Sequence, residues 1–216
     1  MIIDPVGAAD AGTYHVDVTD DCGTVSSTGA ALTVIDCGDC PPPAVEAEGA
    51  RYIAITPVAG PDPVALFVTS ETDLVCLASY VDFDPNPVLQ ALGIARFVDT
   101  PVFRTPAEWG TVHVGDAEVL PETTYEAAAD CGGAAVSVSI PATTWVFGDV
   151  TNSGPPVDFD DIICVLDGFA GSSSCTLYSN DLVGVVPNGV IDFDDILATL
   201  DAFAGASFDI PDPCGG

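Results

Sequence analysis

Aspartate at fixed spacing is the chemistry that stands out in this chain. Between Gly148 and Gly216 there are twelve aspartates and no basic residue. A hard cation such as calcium takes six to eight oxygens, and a twelve-residue loop offers them from positions 1, 3, 5, 7 (a main-chain carbonyl), 9 and 12, with glycine at 6 for the sharp turn. Counted forward, Asp149 takes position 1, Thr151 position 3, Ser153 position 5, Gly154 position 6 and the Pro155 carbonyl position 7. Counted back from the apolar run that follows, Asp161 is position 12 and Asp158 position 9, so one extra residue sits at Pro155-Pro156. A second frame places Asn188 at 5, Gly189 at 6, the Val190 carbonyl at 7, Asp192 at 9 and Asp195 at 12. Its nearest acid for position 1 is Asp181, three residues too far. The reading is two unequal calcium sites of modest affinity, the first the better candidate for occupancy.

These side chains need elements to hold them, and the sequence writes those elements twice. Asp158-Phe-Asp-Asp-Ile-Ile-Cys-Val-Leu-Asp-Gly-Phe-Ala-Gly171 returns 34 residues later as Asp192-Phe-Asp-Asp-Ile-Leu-Ala-Thr-Leu-Asp-Ala-Phe-Ala-Gly205, with ten of fourteen positions identical. A fixed-period repeat is one supersecondary unit used twice. Ile162, Leu166 and Phe169, then Ile196, Leu200 and Phe203, recur at i, i+4, i+7, one apolar stripe per helix. Gly171 and Gly205 stand where left-handed C-terminal caps belong. Aspartates in the first turn suit the helix dipole. Val157 and Ile191, at position 8 of each loop, are expected to pair. The bland alternative is two N-capped helices without metal. Capping accounts for one Asp per helix but not for the whole frame used twice.

Composition narrows the rest. The chain has 33 acidic residues against three arginines and no lysine, for a net charge of −30. Such a surface repels phosphate, which excludes nucleic acids and anionic membrane surfaces as partners. With 48 % hydrophobic residues it is too apolar for a disordered chain. Eight cysteines beside two histidines point to disulfides in an oxidising compartment rather than to zinc. No run is long enough to span a bilayer, and Met1-Ile-Ile-Asp4 does not open a signal peptide. The chain is therefore read as a secreted or cell-surface fragment whose true N-terminus lies upstream.

Along the chain, residues 1–36 read as the last two strands of a truncated immunoglobulin-like domain, with Asp10, Gly12 and Tyr14 resembling its tyrosine corner. The other reading is a β-hairpin belonging to the next domain. Residues 37–44 form a Cys/Pro linker. Its Cys37-x-x-Cys40 is a structural disulfide, a redox pair or half a zinc site. Residues 45–146 carry short strand runs (52–56, 65–69, 74–78, 111–114) separated by Pro, Gly and Asp turns. Leu120-Pro-Glu-Thr-Thr-Tyr125 resembles a corner of fibronectin type III domains, so 45–146 is read as a β-sandwich. Cys76 and Cys131 are a plausible internal disulfide. Trp109 is core or a sugar-stacking platform, and His113 a strand residue without a carboxylate array. Cys175 and Cys214 follow the two helices and could pair with each other, leaving Cys164 as core.

The doubled stretch, Gly148-Asp149-Val150 through Val157-Asp158-Phe159, Asp161-Ile162, Leu166 and Phe169, resembles dockerin repeats, and most closely the C-terminal dockerin-like tails of secreted planctomycete-type proteins. The resemblance implies a small all-α pair of calcium loop-helix units over 147–216, following an all-β sandwich. It implies up to two Ca2+ and docking of a cohesin-like or cell-envelope protein through helix faces. The residues implied for that face are Phe159, Asp160, Ile163 and Asp167, then Phe193, Asp194, Leu197 and Asp201. Loop positions 10 and 11 hold Phe159-Asp160 and Phe193-Asp194 in place of the small hydroxyl pair of cellulosomal type I members.

The function expected is a monomeric, non-catalytic region of a secreted modular protein, a β-sandwich spacer with a calcium-dependent anchoring unit. The alternatives are a carbohydrate- or ligand-binding sandwich with a calcium clasp, or the accessory tail of a secreted glycoside hydrolase whose catalytic domain lies elsewhere. No catalytic residues are expected.

Overall fold

The computed structural model describes residues 12–20, 23–32, 40–60, 62–70, 78–132, 135–172 and 175–208. Asp10, Cys22, Cys37, Cys76 and Cys214 lie outside these residues, and so does most of the strand expected at 74–78. The chain divides into two compact units, Met1–Gly38 and Asp39–Gly216.

In the first unit, four short strands stand where two are expected: β1 (Gly12–Tyr14), β2 (Asp17–Asp20), β3 (Gly23–Ser26) and β4 (Ala30–Leu32). They form two antiparallel ladders, β1 with β4 and β2 with β3. The reason lies in Asp17 and Thr19. Ser26 Oγ donates to the Asp17 carboxylate, and the Thr19 and Thr24 hydroxyls meet at 2.8 Å, so polar cross-strand pairs hold the β2–β3 hairpin.

The second unit is built on one eight-stranded sheet. Its strands are β5 (Ala44–Ala47), β6 (Ile53–Thr56), β7 (Ala65–Thr69), β8 (Ala78–Phe83), β9 (Ile94–Val98), β10 (Val112–Val114), β11 (Thr124–Asp130) and β12 (Ile140–Thr143). Their order is β12-β11-β7-β8-β9-β10-β6-β5. Every pairing is antiparallel except β9 with β10. The end strands β12 and β5 lie beside each other, so the sheet curls into a nearly closed barrel and its edges are protected. Alternate side chains fill the interior: Ile53 and Ile55, Leu66 and Val68, Val112 and Val114, Tyr125 and Ala127. Trp109 is in this core and donates Nε1–H to the Val64 carbonyl at 2.8 Å, so it presents no sugar platform. Two short helices, α1 (Pro87–Ala91) and α2 (Pro106–Trp109), cover turns of the sheet and start on Asn86 and Thr105 as N-caps.

This architecture corrects the expected fold class. The β region is one curled sheet, not two stacked sheets of immunoglobulin or fibronectin type, because the parallel β9–β10 step carries the sheet on round to β6 and β5. Tyr125 closes a local turn, where its Oη donates to the Glu118 carbonyl at 2.6 Å and accepts from Leu120 N–H at 2.7 Å. A six-residue corner fixes a turn and not a topology.

There is also no separate all-α unit. The helices α3 (Phe159–Phe169), α4 (Leu177–Asn180) and α5 (Phe193–Phe203) belong to the same compact unit as the barrel. Their core of Val150, Cys164, Leu182 and Ala198 includes Ala50 from the β5–β6 turn. Tyr178 next to that core stacks on His113 at 3.7 Å and donates Oη–H to the Leu92 carbonyl. His113 in turn bonds the Glu48 carboxylate, a partner that its strand context did not suggest.

Among the described residues, two disulfides tie the unit together. Cys40 pairs with Cys131 across 91 residues, and Cys164 pairs with Cys175 across 11. This corrects the expected partners: Cys40 is not bonded within its CxxC, Cys131 is not bonded to Cys76, and Cys175 is not bonded to Cys214. β11 ends at Asp130, which sets Cys131 beside the chain entering β5. α3 turns Cys164 inward toward the short connection before α4. No helix among the described residues is long and apolar enough to cross a membrane.

Candidate cation loops and helix face

Four aspartates anchor the two loops, and all are 2 % exposed or less: Asp149, Asp161, Asp181 and Asp195. In the first loop, Asp149 accepts from Ser153 N–H and Gly154 N–H, both at 2.9 Å. Asp161 accepts from Thr151 N–H (3.0 Å), the Thr151 hydroxyl (2.7 Å) and Asp158 N–H (2.9 Å). The second loop repeats the frame. Asp181 accepts from Asn188 N–H (3.3 Å) and Gly189 N–H (2.6 Å). Asp195 accepts from Leu182 N–H (2.8 Å), Val183 N–H (3.1 Å) and Asp192 N–H (2.8 Å). Asp181 thus does the work of Asp149, although the sequence places it three residues too far. The surplus is confined to 184–187, between the N–H groups of Val183 and Asn188 that the frame uses. The first loop's extra residue falls in the same way between Gly154 and Asp158.

The remaining loop residues are more open. Thr151, Ser153, Pro155, Asp158, Asn188 and Val190 are exposed, and Asp192 is half-buried. Asp158 and Asp192 are also the N-caps of α3 and α5, each in a reciprocal capping box with Asp161 or Asp195. The helix ends match expectation, with Gly171 and Gly205 at positive φ just past the Ala170 and Ala204 caps. Among the described residues, no three His, Cys, Asp or Glu side chains converge as a metal cage. What fits a hard cation is the donor chemistry and the charge: buried carboxylates beside hydroxyl and carbonyl oxygens, none of them ion-paired with arginine. Burial raises the Asp195 carboxyl to about 6, and the neighbouring Asp181 charge adds to the shift. Burial also raises Asp181, against hydrogen bonds from Tyr52, Gly189 and Asn188 and the nearby Arg51 charge. Buried negative charge is costly even when hydrogen-bonded, and a bound cation would offset it.

The contacts between the two loop–helix segments follow the repeat. A Cβ on Gly148, the residue before Asp149, would meet the Ala202 Cβ of α5 at 2.4 Å. The residue before Asp181 is Asn180, and it lies against Gly168 of α3, 34 residues before Ala202. Each loop therefore leans on the helix that follows the other loop. The packed faces carry Cys164 and Val165 on α3, and Ile196, Ala198 and Thr199 on α5. The face away from them is apolar and open. Phe159, Ile163, Leu166, Phe169, Phe193, Leu197, Leu200 and Phe203 are 40–70 % exposed. Phe159 and Phe203 touch at 5.2 Å between ring centroids, which makes the two stripes one surface. Asp160, Asp194 and Asp201 are exposed with it, and Asp167 is half-buried.

Sequence reasoning missed what holds the second loop. Arg51 is fully buried and donates only to carbonyls: Val119, Asp116, Leu182, Gly184 and Val185. Burial lowers its pKa to about 10, against the pull of Asp181 and other neighbours. Tyr52 donates Oη–H to Asp181 at 2.6 Å, and burial raises its own pKa. Arg96 pairs with Asp84 and reaches the Pro187 carbonyl at 2.9 Å. Two of the chain's three arginines therefore grip the residues that make the second loop long. The available signal was the rarity of basic residues in so acidic a chain.

No protein-family model, curated protein or solved structure matches the chain. The resemblance to dockerins and to immunoglobulin or fibronectin modules is therefore set aside: nothing matched supports it, and the β-rich unit replaces the architecture it implied.

Proposed function

We propose that Asp39–Gly216 is a non-catalytic, calcium-stabilised binding unit of an extracellular protein, holding a protein partner on the open face of α3 and α5. The observation that carries the reading is the doubled frame of buried aspartates with no arginine paired to them. The two disulfides fit an oxidising compartment. An exposed apolar surface that joins two helices is of the kind that marks interaction sites. Calcium supplies positive charge to the loops when bound. The chain supplies the buried carboxylates, the N–H frame that orients them and the barrel on which the second loop rests.

The test is calorimetry and thermal unfolding of the full chain after EDTA treatment. Calcium raises the melting temperature and titrates with about two ions per chain. Absence of both a thermal shift and a heat of binding at millimolar calcium rejects the reading.

A further inference from the structure

A groove of about 370 Å3 runs between α5 and residues 182–185, the segment that Arg51 holds. Phe147, Val185, Leu197 and Phe208 give it apolar walls, and the exposed carboxylates of Asp194 and Asp201 border it. These two acids are seven residues apart on α5, about 10 Å along the axis. That is too far to share one ion.

The chain cannot neutralise this border itself. It has no lysine, and its arginines are committed: Arg96 to Asp84, Arg104 to Asp82, and Arg51 to five carbonyls. Arg51 lies 4.8 Å from the Phe208 ring centroid but is fully buried. A second copy of a chain with net charge −30 is repelled from the same place. We propose that the groove takes an extended segment of a protein partner that bears two basic side chains three residues apart with an apolar residue between them. A polyproline-like segment puts residues i and i+3 on one side about 9 Å apart, matching the two carboxylates. The apolar residue enters between Leu197 and Val185. The inference rests on the partner-binding reading above and names the chemistry of that partner.

The experiment uses the full chain with calcium and the fluorescein-labelled peptide Pro-Lys-Leu-Pro-Lys-Leu-Pro, followed by anisotropy near physiological salt. Binding is expected, with weakening by added salt and none for the peptide carrying Glu in place of Lys. Asp194→Asn with Asp201→Asn weakens it about tenfold, the sum of two exposed ion pairs. The control, Asp62→Asn with Asp99→Asn, removes two exposed barrel charges and leaves binding unchanged. Equal loss in both variants, no loss in the groove variant, or no binding at all each overturns the inference. So does self-association at the groove that the peptide does not displace. Loss on Ile163→Ala with no loss in the groove variant moves binding to the α3 side, which spares the partner-binding reading while ending this one. Calcium calorimetry on the same samples reports the metal reading independently.

Discussion

The two loop–helix units share ten of fourteen residues across α3 and α5, yet they are held in opposite ways. The first loop runs through exposed Thr151, Asn152 and Ser153, and its frame is closed by its own hydroxyl and N–H groups. The second is bolted to the barrel by Arg51, Tyr52 and Arg96. A loop of this type keeps its carboxylate frame only if inserted residues fall between the N–H groups the frame uses. Both loops obey that rule at different points. The insertion at 184–187 then becomes free to do something else, and here it supplies carbonyls to two arginines.

The largest way to break this comparison is Arg51→Met. It leaves five carbonyls without their donor, two of them, those of Val119 and Leu182, in buried hydrogen bonds. The expected loss is about 3–5 kcal/mol, in the range of substitutions that orphan a buried polar network. Urea unfolding measures it. Arg104→Met is the contrast, since the Arg104–Asp82 pair is about one-third exposed, and about 1 kcal/mol is expected there. Equal effects from the two substitutions would mean that the second loop holds without Arg51.

Next in size are the paired substitutions Asp161→Asn and Asp195→Asn. Each keeps a similar shape but removes a buried carboxylate that accepts at least three hydrogen bonds. With calcium present, each is expected to lower stability by about 1–3 kcal/mol and to drop the titrated calcium by one ion. Asp195→Asn has the larger effect, because its loop also forms the junction with the barrel. A larger effect from Asp161→Asn would reverse the comparison and restore the first loop as the dominant site.

What the sequence made legible was local. The helices, their caps and the carboxylates Asp149, Asp161 and Asp195 came from spacing within about fourteen residues, where backbone periodicity and capping geometry govern. Asp181 was found but placed out of register, because counting positions assumes that a loop cannot bulge between its ligands. The barrel was not legible. Tyr125 bonds back to the Glu118 carbonyl within its own turn, but sheet closure depends on β12 meeting β5 across nearly a hundred residues, and no short motif encodes that. The stripes Ile162, Leu166, Phe169 and Ile196, Leu200, Phe203 were legible, but their periodicity could not say that Ile196 is buried while Leu166, Phe169, Leu200 and Phe203 are exposed. The disulfide of Cys40 with Cys131 was hidden for the same reason of distance along the chain.

Tyr52→Phe isolates one atom of the junction. The hydroxyl donates to Asp181 at 2.6 Å in a buried setting, and a hydrogen bond to a charged group contributes about 1.5–3 kcal/mol. The fully buried ring keeps its packing in the variant, so the expected loss lies near the lower figure, about 1.5 kcal/mol. Calcium binding at the second loop weakens with it, while the first loop titrates as before. Calorimetry separates the two sites, and uniform weakening of both would show that the junction acts on the whole unit.

The smallest expected effect comes from one of the four differences between the helices, Gly168 against Ala202. Glycine inside a helix costs about 1 kcal/mol relative to alanine, so Gly168→Ala gains about that much from backbone propensity. Against the gain, the new Cβ lies 2.8 Å from Ile191 Cδ1 and 3.6 Å from the Asn180 side-chain amide. Ile191 Cδ1 is the far end of a side chain and can shift, which limits the penalty to about 1 kcal/mol. The two terms nearly cancel, and a change within about 0.5 kcal/mol is expected by urea unfolding. A loss of about 2 kcal/mol or more would mean that Ile191 is fixed in place, and that Gly168 was required by the second loop's fit against α3 rather than merely tolerated there.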